Sequence, residues 1–316
     1  MATRAQDIFV EARAYPKVQA LVTNKVNLIG FACGMGASNS DCAYGPEVLK
    51  QMGLSRVLQD RGVNAKWKCF LKTSIQGLDK QLRIDYLSFQ YRILAQAVAK
   101  SVRQHERFAV IGGDHSCAIG TWSGAAHQIQ KLGPLGLIWI DAHMDSHTFI
   151  TSHSGALHGM PLACLLGYGD RRLTSILSVG TKIAPQHVCL VGVRSFEAEE
   201  AQLLKRLGVK IIFMQEIKQR GLFSALKEAL TIVNQGTAGF GLSIDLDSID
   251  PLEAPGVGTP ELGGLSSKEL LDALKIFPQQ RSLLGIEIAE LNPTLDQKLI
   301  TAKLVIKALI AGLVRG

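Results

Sequence analysis

Three short stretches concentrate residues that hold metal ions: DAHMD at 141–145, DLDSID at 245–250 and GGDHS at 112–116. In DAHMD, Asp141, His143 and Asp145 occupy alternate positions. Alternate side chains of an extended chain point the same way, so two carboxylates and an imidazole converge on one point. Asp245 and Asp247 repeat that spacing, and Asp250-Pro251 reads as a turn opener. Carboxylates this close repel, and one takes up a proton unless a cation removes the cost. His115 follows two glycines that permit close backbone approach and is a further ligand. Asp114 is expected to orient an imidazole from behind.

The charges add up to a specific demand. Asp141, Asp145, Asp245 and Asp247 are anionic, His115 and His143 neutral, and two divalent ions balance them. Oxygen donors with some imidazole suit Mn²⁺ better than a structural zinc, which takes thiolates. Two ions roughly 3.5–4 Å apart lower the pKa of a shared water, which is hydrolase chemistry.

These stretches need a scaffold that brings them together. Apolar strand-like runs occur at 25–31, 65–71, 107–113, 136–141, 187–193, 210–215, 239–245 and 282–288. Helical patterns lie between them, among others at 45–61, 81–104, 197–207, 222–235, 266–277 and 296–313. Strands alternating with helices predict an α/β fold with a mostly parallel sheet covered on both faces. The polar clusters fall at strand ends, the fourth being AELNP at 289–293, and ligands bind outside the carboxyl ends of parallel strands. Clusters from 115 to 290 meet only if one sheet carries them all, which predicts one domain over 1–316.

Composition excludes several classes. The chain has 316 residues, 47 % hydrophobic and 19 % charged, which rules out disorder, collagen and coiled coil. No apolar run reaches the ~18 residues of a membrane span, and the first residues, MATRAQDIFVEARAYP, lack the apolar stretch of a secretory signal. Six cysteines lie at irregular spacing without a CxxC pair, so reduced thiols and a cytoplasmic location are expected. Most cysteines read as small core residues, and Trp67, Trp122 and Trp139 as core or interface. The net charge of +7 comes from scattered Lys and Arg with no basic run, which argues against nucleic acid.

The motifs GGDHS, DAHMD, SGALHGMP (154–161), SIDLDSIDP (243–251) and GTPELGGLS (258–266), with a glycine-containing loop ending in GP at 34–46, resemble the ureohydrolase family, on its arginase branch. The resemblance runs from about residue 25 to the C-terminus. It implies a three-layer α/β/α sandwich with an eight-stranded sheet. It implies one manganese on His115 and Asp145, another on His143 and Asp247, and bridging by Asp141 and Asp245. It also implies metal-hydroxide attack on a guanidinium carbon, releasing urea and, from L-arginine, L-ornithine. His158 matches a histidine that shuttles a proton, Glu290 a glutamate that holds the guanidinium, and Thr259 a threonine of the same pocket; Asp145 counts among the catalytic residues as well as the ligands. A homo-trimer or hexamer is implied, with Arg315 near the subunit contact.

The departures concern the substrate. Ser152 and Ser154 sit in the loop that, in this family, clamps an α-carboxylate. His147 stands where arginases carry asparagine, and Glu197 where they carry an aspartate that reads the α-amino group. APGVGTPE (254–261) leans towards agmatinases, so agmatine or another guanidino compound is the alternative to arginine. A one-zinc deacetylase of the same topology would not need His115 with both Asp145 and Asp247. Intact His158 and Glu290 argue against a protein that only binds metal. His127 and His153 are expected on the solvated surface.

Overall fold

The computed structural model describes residues 24–73 and 79–315; the N-terminal stretch read above as lacking a secretory signal lies outside them. Eight strands form one all-parallel sheet: β1 (Lys25–Ala32), β2 (Asn64–Lys72), β3 (Arg107–Gly112), β4 (Leu135–Ile140), β5 (Val188–Val193), β6 (Lys210–Phe213), β7 (Gly239–Asp245) and β8 (Leu283–Ala289). Their order across the sheet is β2-β1-β3-β8-β7-β4-β5-β6. The expected sheet is borne out strand for strand, within the usual slack at strand ends.

Successive residues of a strand face opposite sides, and the interior strands are apolar on both. In β4, Ile138 and Ile140 join one hydrophobic cluster, while Leu137 and Trp139 join the other. Helices Leu222–Asn234, Ser267–Leu274 and Ile300–Leu313 cover the first face. Helices Lys80–Arg103 and Ala118–Ile129 cover the second. That is the α/β/α sandwich. Within the second layer, Ala118–Ile129 rides close on Lys80–Arg103. A Cβ at Gly124 would lie 2.2 Å from the Ala95 carbonyl oxygen, so only glycine allows that approach.

Two expected helices are interrupted. The pattern over 45–61 divides into Gly45–Gln51 and Leu54–Gln59, broken at Gly53, whose φ is 75°. The pattern over 296–313 becomes helical only at Ile300, after Lys298 and Leu299 turn through positive φ. Among the described residues no helix is long and apolar enough to cross a membrane.

The topology places the chemistry. Strands β3, β8, β7 and β4 are consecutive neighbours in the centre of the sheet. They are the strands that GGDHS, AELNP, DLDSID and DAHMD terminate. All four clusters therefore emerge side by side at one edge of the sheet.

Candidate metal centre and active site

At the ends of β3, β4 and β7 an aspartate makes the same local turn. Asp114 accepts from the Ser116 amide at 3.0 Å, Asp141 from His143 at 2.7 Å and Asp245 from Asp247 at 2.9 Å. Such Asp-to-i+2 bonds stop the strand and curl the following residue back. The turn leaves the second oxygens of Asp141 and Asp245 pointing inward.

They point at His115, which is fully buried. Its Nδ1 lies 3.2 Å from Asp141 Oδ2, 3.1 Å from Asp145 Oδ2 and 3.0 Å from Asp245 Oδ2. A second group forms beside it, with His143 Nδ1 3.0 Å from Asp247 Oδ2 and 3.6 Å from Asp141 Oδ1. Asp141 belongs to both groups, whereas Asp245, expected to bridge as well, falls only in the group around His115. Burial pushes the Asp145 carboxyl up to about 7, helped by the Asp141 charge, and raises Asp245 and Asp247 too. Buried polar atoms are normally hydrogen-bonded. Here His115 Nδ1 and Asp145 Oδ2 are buried without a hydrogen-bond partner. Donor atoms that converge without pairing fit a divalent cation at their centre, and neither group contains a thiolate.

The supporting contacts were largely unforeseen. Ser243 Oγ lies 3.0 Å from His115 Nε2 and donates at 2.7 Å to the buried carboxylate of Glu287. This bond leaves Nδ1 to face the aspartates. Trp139, foreseen only as core or interface, stacks on His115 at 4.2 Å and donates to Asp141 Oδ2 at 2.8 Å. Glu261 Oε1 lies 3.6 Å from His143 Nε2 and accepts from Ser195. Arg194 donates to the carbonyls of Asp247, Ser248, Glu261 and Leu262, tying down the loops around His143 and Asp247. Asp114, expected to orient an imidazole, does something else: its carboxylate accepts from Ser116 and the Gly36 amide. It braces the 34–46 loop against the end of β3.

Two residues hold unusual backbone beside the cluster. Asp145 has φ 48° and Glu290 φ 70°, a region uncommon for non-glycine residues and often occupied at functional sites. Glu290 is buried, and its Oε1 accepts from the His115 amide at 2.9 Å and sits 3.1 Å from His158 Nδ1. The His158 amide donates to the Gly36 carbonyl. Burial alone would lower the His158 pKa, but the Glu290 carboxylate, with Asp145 and Asp114 beyond it, pushes it up to about 10.

A cavity of about 270 Å³ opens over this arrangement. Its lining includes His143, Asp145, Asp245, Asp247, His158 and Thr259, whose hydroxyl donates to Asp247 at 3.0 Å. Its mouth carries His147, Phe196, Glu197 and Glu200. His147 Nε2 sits 3.3 Å from Glu197 and 3.4 Å from Glu200. Glu200, absent from the sequence reading, is buried and closes a capping box with Glu197 at the head of helix Ala198–Leu207. His153, expected to be merely solvated, is exposed yet bonds Glu197 at 2.9 Å. Ser152 and Ser154 do not line this cavity. Their hydroxyls accept from the Gly155 and Ala156 amides, and Ser154 faces a neighbouring cavity. Among the described residues no lysine or arginine lines the metal-side cavity.

Known proteins share both the sequence and this architecture. The sequence profile of the Arginase family matches residues 24–313. An arginase of Bacillus caldovelox is 36 % identical over 288 residues, covering 89 % of this chain and 95 % of its own length. One of Brevibacillus brevis is 34 % identical over 289 residues, covering 90 % and 96 %. The crystal structure of arginase from Bacillus subtilis superposes with a TM-score of 0.84 at 34 % identity, covering 92 % of this chain and 99 % of the other. A profile match over nearly the whole described chain, with this fold and this donor cluster, leaves one conclusion: the chain belongs to the arginase family.

Proposed function

We propose that the protein is a metal-dependent hydrolase that cleaves L-arginine to L-ornithine and urea. What carries the reading is one juxtaposition: two His/Asp donor groups sharing Asp141, with orphaned donor atoms, beside a cavity that His158 also lines. His115, Asp141, Asp145 and Asp245 would hold one divalent ion, and Asp141, His143 and Asp247 the other, with Asp245 shared on loading as the family resemblance implies. Manganese is the metal that this oxygen-rich, thiolate-free donor set suits best. Bound there, the pair supplies water of lowered pKa as a nucleophile at neutral pH.

The chain's own residues do the rest. Glu290 offers a buried carboxylate to a planar cationic guanidinium, fixing which face meets the nucleophile. His158, held protonated beside Glu290, gives its proton to the departing amine. Thr259 keeps Asp247 in place. At the mouth, Glu197 and Glu200 meet the α-ammonium of the substrate, with His147 between them. We further propose a single domain over 1–316, a cytoplasmic location, and a homo-trimer or hexamer with Arg315 at its contact.

Agmatine, or another guanidino compound, is the second reading. It is favoured by the clamp loop: Ser152 and Ser154 do not line the cavity, and among the described residues no lysine or arginine does. The test of the leading reading is product analysis with added Mn²⁺. Urea and ornithine should appear in equal amounts from L-arginine, and activity should plateau at two ions per chain. Release of ammonia in place of urea would remove the assignment.

A further inference from the structure

The loop from Ser154 to Leu157 has a second cavity on it, separate from the metal-side one. It measures about 310 Å³, within the lower range of small-ligand pockets. Its lining combines two chemistries. Met35, Ile84, Phe149 and Leu157 supply an apolar wall. Lys80 and Arg83 supply charge, and Ser38 and Ser154 supply hydroxyls. Among the described residues no acidic one lines it.

The two cations lie one turn apart on helix Lys80–Arg103, and residues three apart share a helix face. Elsewhere, cations of this chain find partners: Arg172 pairs with Asp170 and Asp85, and Arg220 with Glu216 and Glu228. Here, among the described residues, neither side chain has an anionic partner. Arg83 makes no side-chain hydrogen bond, and Lys80 Nζ rests 4.7 Å over the Phe149 ring. Two like charges held at one cavity without a counter-ion repel each other, and an anion between them relieves that. The apolar wall sets the rest of the ligand.

We propose that this cavity binds a small carboxylate carrying an apolar body, its carboxylate between Lys80 and Arg83 and its body against Phe149, Ile84 and Leu157. The site lies against the active centre's backbone. Gly36, in its wall, accepts from the His158 amide and donates to Asp114, and Leu157 directly precedes His158. An occupant therefore touches both segments that hold His158 in position.

The test is calorimetric titration of the full-length, metal-loaded protein with hexanoate, its neutral analogue hexanamide, and inorganic phosphate. Hexanoate should bind one-to-one and saturably, hexanamide should give no saturable heat, and phosphate should bind more weakly. The double variant Lys80→Gln/Arg83→Gln should weaken hexanoate about tenfold or more, as loss of charge-assisted contacts implies. Lys80→Arg/Arg83→Lys should keep binding, and both variants should retain the wild-type melting temperature and urea release. Undiminished hexanoate binding in the Gln variant would place the ligand elsewhere and overturn the proposal, as would absence of saturable hexanoate binding. Phosphate binding as tightly as hexanoate would overturn the assignment of an apolar body.

Discussion

His158 Nδ1 and Glu290 Oε1 lie 3.1 Å apart, so the group that would deliver a proton is bonded to the carboxylate that would hold the guanidinium. The relationship makes each residue's chemistry depend on the other. Burial disfavours the imidazolium, but the Glu290 bond outweighs it and carries the His158 pKa up to about 10. NMR titration of the His158 ring should therefore give a midpoint far above the ordinary ~6.5. In Glu290→Gln it should fall back towards that value. The sign for stability follows: the pair's contribution is fully present below about pH 6.5 and is lost as pH rises through about 10. A midpoint unchanged in the variant would mean that Glu290 does not hold the proton there. In the same frame, His158→Ala should lower kcat by ~10²–10⁴-fold with little change in KM, because the proton is needed only as the amine departs.

Asp141 is the one carboxylate in both donor groups. Asp141→Asn removes a charge from each, so metal analysis after dialysis should fall from two ions per chain to fewer than one. Thr259→Val, which loses only a bond to Asp247, should keep both ions with weakened affinity. Retention of both ions by Asp141→Asn would show that the groups are held independently.

The metal-free protein carries a specific pH signature. Asp145 is raised to about 7, with Asp245 and Asp247 also raised, by burial first and by the nearby Asp141 charge. The folded chain then binds protons that the unfolded chain has released above about pH 4. Stability of the apoprotein should fall as pH rises from about 4 to about 7, because the native state holds more protons across that window. Saturating Mn²⁺ should flatten the slope and raise Tm, contributing about 2.7 kcal/mol per site at a hundredfold excess over Kd. Chemical denaturation at several pH values, with and without metal, measures both. An apoprotein that gains stability across that window would contradict the burial argument.

Much of this was legible in the sequence because parallel sheets leave a simple trace. Interior strands such as LGLIWI and GFGLSI are apolar on both faces, and the acids begin where burial in the sheet ends. Alternate spacing grouped Asp141 with His143 and Asp145, and Asp245 with Asp247, and the strand ends of one sheet joined the two groups. Helix Ala118–Ile129 was not legible: its small residues, Gly124 among them, serve close packing and blur the apolar period. Glu287 did leave a signal, a charge in the middle of the apolar run LLGIEIA, since a carboxylate buried inside a sheet needs donors such as Ser243 and Trp122. Glu200 was hidden because a glutamate at the third position of a helix reads as a cap. It is one, and it also lines the cavity. Ser154 illustrates the limit of reasoning from loop composition. Its position near the metal strand is clear from sequence, but which side of the loop its hydroxyl faces is set by turns with Gly155 and Ala156.

The central claim is hydrolysis of L-arginine at a two-metal centre, and the most direct measurement is urea release by the Mn²⁺-loaded enzyme from L-arginine and from agmatine, compared as kcat/KM. The two substrates share the guanidinium and differ at the α-carbon, so the ratio isolates the contacts at the cavity mouth. L-Arginine should be cleaved with the higher kcat/KM, and Glu197→Gln should lower that value for both substrates, since both present an ammonium on the same carbon and agmatine lacks only the α-carboxylate. Urea release from agmatine at equal or higher kcat/KM, or none from L-arginine with two ions bound, would contradict the account.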